Sequence, residues 1–131
     1  MNKDTSPIET GLMPFIRMKK AAEFIGRAAL EEELAAPARR SLAFLALEGG
    51  EVDPEGDEAV VCLGKAVGWT TSGCWSPLLG RPLAIASIPP LLATPGSSLQ
   101  VTPPPYSHSR KMCQAFCEQI FFVCFIFISF F

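Results

Sequence analysis

The feature that most constrains this chain is a series of short apolar segments, each closed by turn chemistry, between Ser41 and Val101. Ser41–Leu47 runs into Glu48-Gly49-Gly50. Asp53-Pro54-Glu55-Gly56 couples a proline that fixes φ to a glycine that relaxes it, which is β-turn chemistry. Ala59–Cys62 and residues 66–71 flank Leu63-Gly64, the length of a two-residue hairpin connection. Residues 83–88 make a further candidate strand, stopped by Pro89-Pro90, and Ser98–Val101 makes the last. Short strands at this spacing predict a small antiparallel barrel or sandwich.

The upstream residues follow a different pattern. Residues 12–18 predict a short strand, with Pro14 confining it to an edge or an irregular position. Gly26 precedes a predicted helix over 27–36, in which Ala28, Ala29, Leu30, Leu34 and Ala35 are good helix formers and Pro37 ends the run. Leu30 and Leu34 share a face. Glu31, Glu32 and Glu33 splay around the helix, so they form its solvated side rather than a metal site.

Charge divides the chain unevenly. Of its 24 charged residues, 19 lie at or before Glu58. The net charge of −2 gives no electrostatic case for nucleic acid. Five cysteines, an odd number, with no apolar signal segment at Met1-Asn2-Lys3-Asp4-Thr5-Ser6-Pro7 argue against a secreted disulfide framework. The same residues are not an Arg-rich, acid-poor transit sequence either, and fit an internal or truncated start.

Composition changes again after Val101. Eight of the 12 prolines lie from Pro77 to Pro105, and Pro103-Pro104-Pro105 should end any sheet. Seven of the ten phenylalanines lie from Phe116 onward. Residues 120–131 carry no charge, and as a helix they span about 18 Å, short of a hydrocarbon core of about 30 Å. Membrane association through Ile120 to Phe131 is therefore marginal. Such a segment is also a cross-β hazard, so self-aggregation is expected.

An ordered series of segments runs through the first three quarters of the chain. It comprises Asp4-Thr5-Ser6-Pro7-Ile8-Glu9-Thr10-Gly11-Leu12, Phe24-Ile25-Gly26-Arg27-Ala28-Ala29-Leu30 and Arg39-Arg40-Ser41-Leu42. Val52-Asp53-Pro54-Glu55-Gly56-Asp57-Glu58, Gly64-Lys65-Ala66-Val67-Gly68, Thr71-Ser72-Gly73, Ser76-Pro77 and Leu83-Ala84-Ile85-Ala86 follow. The series resembles the C-terminal part of the aminomethyltransferase (glycine-cleavage T-protein) family, and within it the dimethylglycine and sarcosine dehydrogenases. The resemblance implies a mostly β fold with a short helical N-terminal part and an incomplete small antiparallel barrel, followed by a disordered or hydrophobic tail. Residues 1–40 are then the end of a folate-binding module and 41–101 a partial C-terminal barrel. Residues 102–131 are a Pro-rich linker and Phe-rich tail, which leaves an unpaired sheet edge.

The function implied is that of a truncated fragment, inactive alone. Its parent uses FAD and tetrahydrofolate to demethylate N-methyl glycines oxidatively in the mitochondrial matrix. The alternatives are a small interaction module, which would bind the parent enzyme or its folate module, and a tail-anchored membrane protein. No Gly-x-Gly-x-x-Gly marks a flavin site here. The resemblance makes Glu9 and Phe15 folate-proximal candidates, with Pro14 where these dehydrogenases carry a tyrosine. No catalytic residue is assigned. A metal site built on His108, Cys113 and Cys117, the cysteines sharing a helical face, lacks a fourth ligand at a recognised spacing. Thr71-Ser72-Gly73 reads as a turn between strands, and Trp69 and Trp75 as plugs of the barrel or its interface. Asn-Gly is favoured at the hairpin in the related enzymes. Leu63-Gly64 replaces it here, and a leucine at positive φ is costly.

Overall fold

A computed structural model describes residues 5–20, 23–48, 54–102 and 112–118. Six antiparallel strands close into a barrel. They are β1 (Ser41–Leu47), β2 (Ala59–Cys62), β3 (Lys65–Ser76), β4 (Arg81–Ile88), β5 (Ser98–Val101) and β6 (Cys113–Glu118). The order around the barrel is β1-β4-β3-β2-β5-β6, with β6 returning to β1. Among the described residues ahead of it lie a 3-10 turn at Met13–Phe15 and a helix, α1 (Arg27–Ala35).

The sheet is closed, which corrects the expectation of an incomplete barrel with an open edge. β6 supplies the missing strand from within the segment read as linker and tail. It pairs with β5 from Val101↔Cys113 to Ser98↔Phe116, and with β1 from Leu47↔Ala115 to Phe44↔Glu118. Three further backbone bonds fix its position: Glu48 N to Gln114 O at 2.8 Å, Gly96 N to Cys117 O at 2.9 Å and Cys117 N to Ser97 O at 3.1 Å. The Phe-rich residues 120–131 lie outside the described residues.

The barrel interior shows why closure works. A strand sends alternate side chains to one face, and Cys113, Ala115 and Cys117 face the core. Ala115 sits between Leu47 and Leu99 on its two neighbouring strands, and Leu45 sits between Ala84 and Cys117. Large side chains thus meet small ones along the rungs, as a narrow barrel requires. Leu45, Val60, Ala86, Ile88 and Ala115 have no solvent exposure at all. On β4, Pro82, Ala84, Ala86 and Ile88 are buried in strict alternation.

Local chemistry sets the boundaries. Residues 12–18 form no strand. Pro14 falls in the first turn of the 3-10 segment, where its fixed φ is suited and its missing N–H costs nothing. α1 stops at Ala35 because Ala36 precedes Pro37 and is driven to an extended conformation, φ −99° and ψ 153°. β4 ends at Ile88, and Pro90–Leu92 turns as a 3-10 segment. β3 is longer than the expected 66–71 and absorbs Thr71-Ser72-Gly73 as strand, with a bulge between Thr70 and Ser72. Two of its glycines permit close approach. A Cβ at Gly68 would lie 2.1 Å from the Ser87 carbonyl oxygen, and one at Gly73 would lie 2.2 Å from Cγ of Pro54.

The hairpin at Leu63-Gly64 keeps the tight two-residue geometry with both central residues at positive φ, 50° and 77°. Leu63 is fully exposed, so no packing offsets its left-handed backbone. Leu63→Asn should therefore raise stability by about 1 kcal/mol, read as a higher thermal midpoint. Ala115→Leu should lower stability by about 1–3 kcal/mol through overpacking. An unchanged midpoint for the second variant would mean that β6 is not part of the barrel.

Candidate functional site

The polar architecture gathers where the N-terminal segment meets β1. Glu9 is buried within its own turn. Its carboxylate accepts from Ser6 N at 3.3 Å, while its backbone N–H donates to Ser6 Oγ at 3.2 Å. Arg39 Nε lies 3.7 Å from Glu9 Oε1, and the Glu9 carbonyl accepts from Leu42 N at 2.9 Å. These contacts tie residues 5–12 to the first strand of the barrel. The Glu9 carboxylate is thereby committed to its own turn and to Arg39.

Arg40 makes the second junction. Its Nε donates to Ser87 Oγ at 2.9 Å, and its Nη2 to the carbonyls of Ser87 at 2.8 Å and Val67 at 3.1 Å. The guanidinium carbon stands 4.2 Å from the centroid of the Trp69 ring, a stacking worth about 0.5–2 kcal/mol. Arg40 thus joins the start of β1 to β3 and β4. Trp69 does not plug the barrel: it lies on the outer surface, 44% exposed, as Arg40's platform. Trp75 is 42% exposed and likewise outside the core.

The third cluster closes the loop before β2. Glu58 is buried, and its carboxylate accepts the N–H groups of Glu55 at 2.7 Å and Gly56 at 3.1 Å. It also accepts the hydroxyl of Thr70, which is itself fully buried. The backbones clasp as well: Asp57 N to Thr70 O and Thr70 N to Glu58 O, both 2.8 Å. Asp57 at φ 65° and Gly56 at φ 122° make the sharp turn that aims these donors. Burial acts to raise the Glu58 pKa. The Thr70 hydroxyl and the N–H groups of Glu55, Gly56 and Glu58 itself outweigh burial and hold the carboxyl below its ordinary value.

Of the folate-proximal candidates, Phe15 lies on a different surface from Glu9. Pro14 is exposed, and the Phe15 ring is 77% exposed. The same segment forms a solvent-open cavity of about 560 Å³, lined by Met13, Ile16, Arg17, Met18, Lys19 and Lys20. Thioethers and an isoleucine supply apolar walls, and three cations stand around them. Such a lining suits a ligand with an apolar body and an anionic group. The structure brings Phe15 to this cavity's segment and turns the Glu9 carboxylate into its own loop, so the two candidates do not form one site.

Cys113 and Cys117 share the inner face of a strand, not a face of a helix, and Ala115 separates them. Burial pushes the Cys113 thiol pKa up, away from the thiolate that a metal requires. His108 lies outside the described residues. Among the described residues, no group of three His, Cys, Asp or Glu side chains is placed to hold a metal ion.

Comparison with known proteins agrees with this architecture. Residues 39–115 match the family described as the glycine cleavage T-protein C-terminal barrel domain. Human mitochondrial dimethylglycine dehydrogenase is 43% identical over 101 residues, 77% of this chain but 12% of that protein. An aminomethyltransferase of Synechococcus sp. is 44% identical over the same length, 27% of its own. The chain therefore spans only a small part of the curated relatives that it matches. The crystal structure of glycine cleavage system aminomethyltransferase T from Bartonella henselae superimposes with a TM-score of 0.76. It covers 89% of this chain and 32% of that one at 21% identity, a likeness of fold.

The Glu58 clasp yields a pH prediction with a definite sign. A carboxyl whose folded pKa is depressed contributes stability that is fully present above its unfolded pKa, about 4.3. That contribution is lost as pH falls through the folded value. Glu58→Gln should cost about 1–3 kcal/mol at neutral pH and flatten the acid limb of the stability profile. Denaturant melts of both proteins between neutral and acid pH check this. Parallel acid limbs would remove Glu58 as the group responsible.

Proposed function

We propose, because the chain belongs to the glycine cleavage T-protein C-terminal barrel family, that it is a non-catalytic barrel unit serving a folate-dependent one-carbon enzyme. The observation that carries this reading is the 43% identity to human dimethylglycine dehydrogenase across 101 residues, joined to the small share of that protein they represent. By that likeness, the parent activity is FAD- and tetrahydrofolate-dependent oxidative demethylation of an N-methyl glycine. The relatives' mitochondrial name makes the matrix the proposed setting. This chain holds the end of the folate module and the barrel beside it, and acts only with the remainder of such an enzyme.

The residues present fit a peripheral part in folate binding and no more. Phe15 offers an exposed ring on the same segment whose Arg17, Lys19 and Lys20 line an open cavity, although the ring is not part of that lining. An apolar edge with nearby cations there can hold the outer part of a carboxylate-bearing ligand. Pro14 provides no phenol where the related dehydrogenases carry a tyrosine. Glu9 serves the joint with Arg39 and Leu42, and holds residues 5–12 in place behind that surface. Tetrahydrofolate itself supplies the one-carbon acceptor when bound. No Gly-x-Gly-x-x-Gly turn is present to cradle FAD.

Titration of the full chain with tetrahydrofolate, followed by calorimetry, tests the reading. The expected result is no saturable binding up to millimolar ligand, and no dimethylglycine oxidation. Micromolar binding by the chain alone would overturn the view that it needs a larger folate module.

A further inference from the structure

β1 is apolar on both faces. Its core residues are Ala43, Leu45 and Leu47, so strand alternation turns Leu42, Phe44 and Ala46 to the outside. In the same way β4 sends Ala84, Ala86 and Ile88 inward and Leu83 and Ile85 outward, and β6 sends Ala115 and Cys117 inward and Phe116 outward. Register joins the outward side chains into one patch. Ala46 stands between Leu83 and Phe116, and Phe44 stands beside Ile85. Ala46 has no solvent exposure although it is not a member of the core, and Phe44, Leu83, Ile85 and Phe116 are half-buried. An antiparallel sheet with one face in water normally alternates apolar with polar residues. Ser41–Leu47 does not: it carries no charge, and Ser41 is its one polar residue. Arg81, at the far end of β4, is the one charged residue of that strand.

The occupant of this face follows from where the chain leaves the sheet. β6 ends at Glu118, in register with Phe44, and so delivers residues 119–131 to the edge of the patch. Residues 120–131 carry no charge and are mostly Phe and Ile, which suits an uncharged apolar face. At about 3.3 Å per extended residue they reach roughly 40 Å, against about 5 Å between neighbouring strands, so they can cross both β1 and β4. The short tether also decides between this chain and a second copy. It sets an effective concentration on the order of millimolar, roughly a thousandfold above that of a neighbour in a micromolar solution. We propose that residues 120–131 fold back over Phe44, Ala46, Leu83, Ile85 and Phe116, as the chain's own cover for the outer face of the barrel. A segment covered in this way is withheld from the cross-β association that its composition invites. The proposal stands apart from the folate-module reading, because residues 116–131 lie beyond the stretch, 39–115, that matches the family. The competing apolar feature is the β3–β4 hairpin tip, where Leu78 is 72% and Leu79 48% exposed. That tip projects beyond the Ser76↔Arg81 rung, away from Ile85, whereas the patch begins where β6 stops.

Photo-crosslinking of the full chain with the substitution Phe122→p-benzoylphenylalanine tests this. An equal mixture of isotope-labelled and unlabelled protein at micromolar concentration separates links within one chain from links between two. The expected result is links within one chain, from position 122 to residues 41–47 or 82–88, with a yield that does not change on dilution. Phe44→Ser with Ile85→Ser should lower that yield several-fold, and Leu78→Ser should leave it unchanged. The map of the chain without those serines decides the matter even if the paired variant fails to fold. Links confined to residues 76–80, links found only between chains, or no link to β1 or β4 would each overturn the proposal.

Discussion

Every other feature of this molecule depends on β1 being paired on both sides. Its residues bond to β4 from Ser41↔Ile88 to Ala46↔Leu83, and to β6 from Phe44↔Glu118 to Leu47↔Ala115. With both edges filled, the barrel has no free strand, and the aggregation risk of an open edge is removed from the fold itself. Closure in turn dictates the interior. Three adjacent strands, β4, β1 and β6, contribute Ala84, Ala86, Ala43 and Ala115 to the core, and the larger Val60, Leu99 and Val101 come from β2 and β5. Leu45 and Leu47 fit because the side chains beside them are small. An isobutyl group in place of a methyl on this wall has nowhere to go, since close-packed interiors relax only partly.

The polar network acts on top of that apolar frame and fixes what the strands leave open. Arg40 acts on the outer surface: three hydrogen bonds and the face of Trp69 tie the start of β1 to β3 and β4. Glu58 and Thr70 do the same for the loop that enters β2, where unusual backbone angles at Gly56 and Asp57 persist because the carboxylate rewards them. Pro54 fills the space over Gly73, so the absence of a side chain on β3 is what lets this loop lie down. Leu63 is the opposite case. Its strained backbone has no compensating contact, and the hairpin forms because the two flanking strands impose its length.

Much of this was legible in the chain. β1, β2 and β5 occupy the very residues that alternation and turn chemistry mark, because each is short, apolar and bounded by Gly, Pro or acidic turn residues. β6 was not legible. Cys113, Ala115 and Cys117 alternate, but they lie between a proline run and a phenylalanine run, and two cysteines four apart read equally well as a helical face. Only the vacancy between β1 and β5 chooses the strand, and that vacancy is a property of the other five. The roles of Arg40, Glu58 and Thr70 were hidden for a related reason. Arg39-Arg40 and the acidic turn stand in the sequence as local features, whereas their partners Ser87, Trp69 and Thr70 come from strands that pairing brings alongside. A buried carboxylate with its donors two and three residues upstream could have been suspected from Glu55-Gly56-Asp57-Glu58 alone. Glu9 and Phe15, grouped by resemblance, part company in the structure because the chain turns sharply between them at Gly11, φ 70°.

The two ends of the described structure therefore differ in kind. In the barrel, apolar side chains are matched across closed rungs, and among the described residues the buried side-chain polar atoms are paired. The segment before β1 is organised by polar contacts. It is anchored at Glu9 through Arg39 and the Leu42 amide, it carries a helix with no buried side chain, and it presents Phe15, Ile25 and Leu34 to water. Anchoring without burial has a mechanical consequence. The joint at Glu9 and Leu42 sets where the segment starts, and so aims its apolar groups at a fixed orientation to the barrel. Side chains held in that way have already lost much of their conformational freedom, although they are not buried.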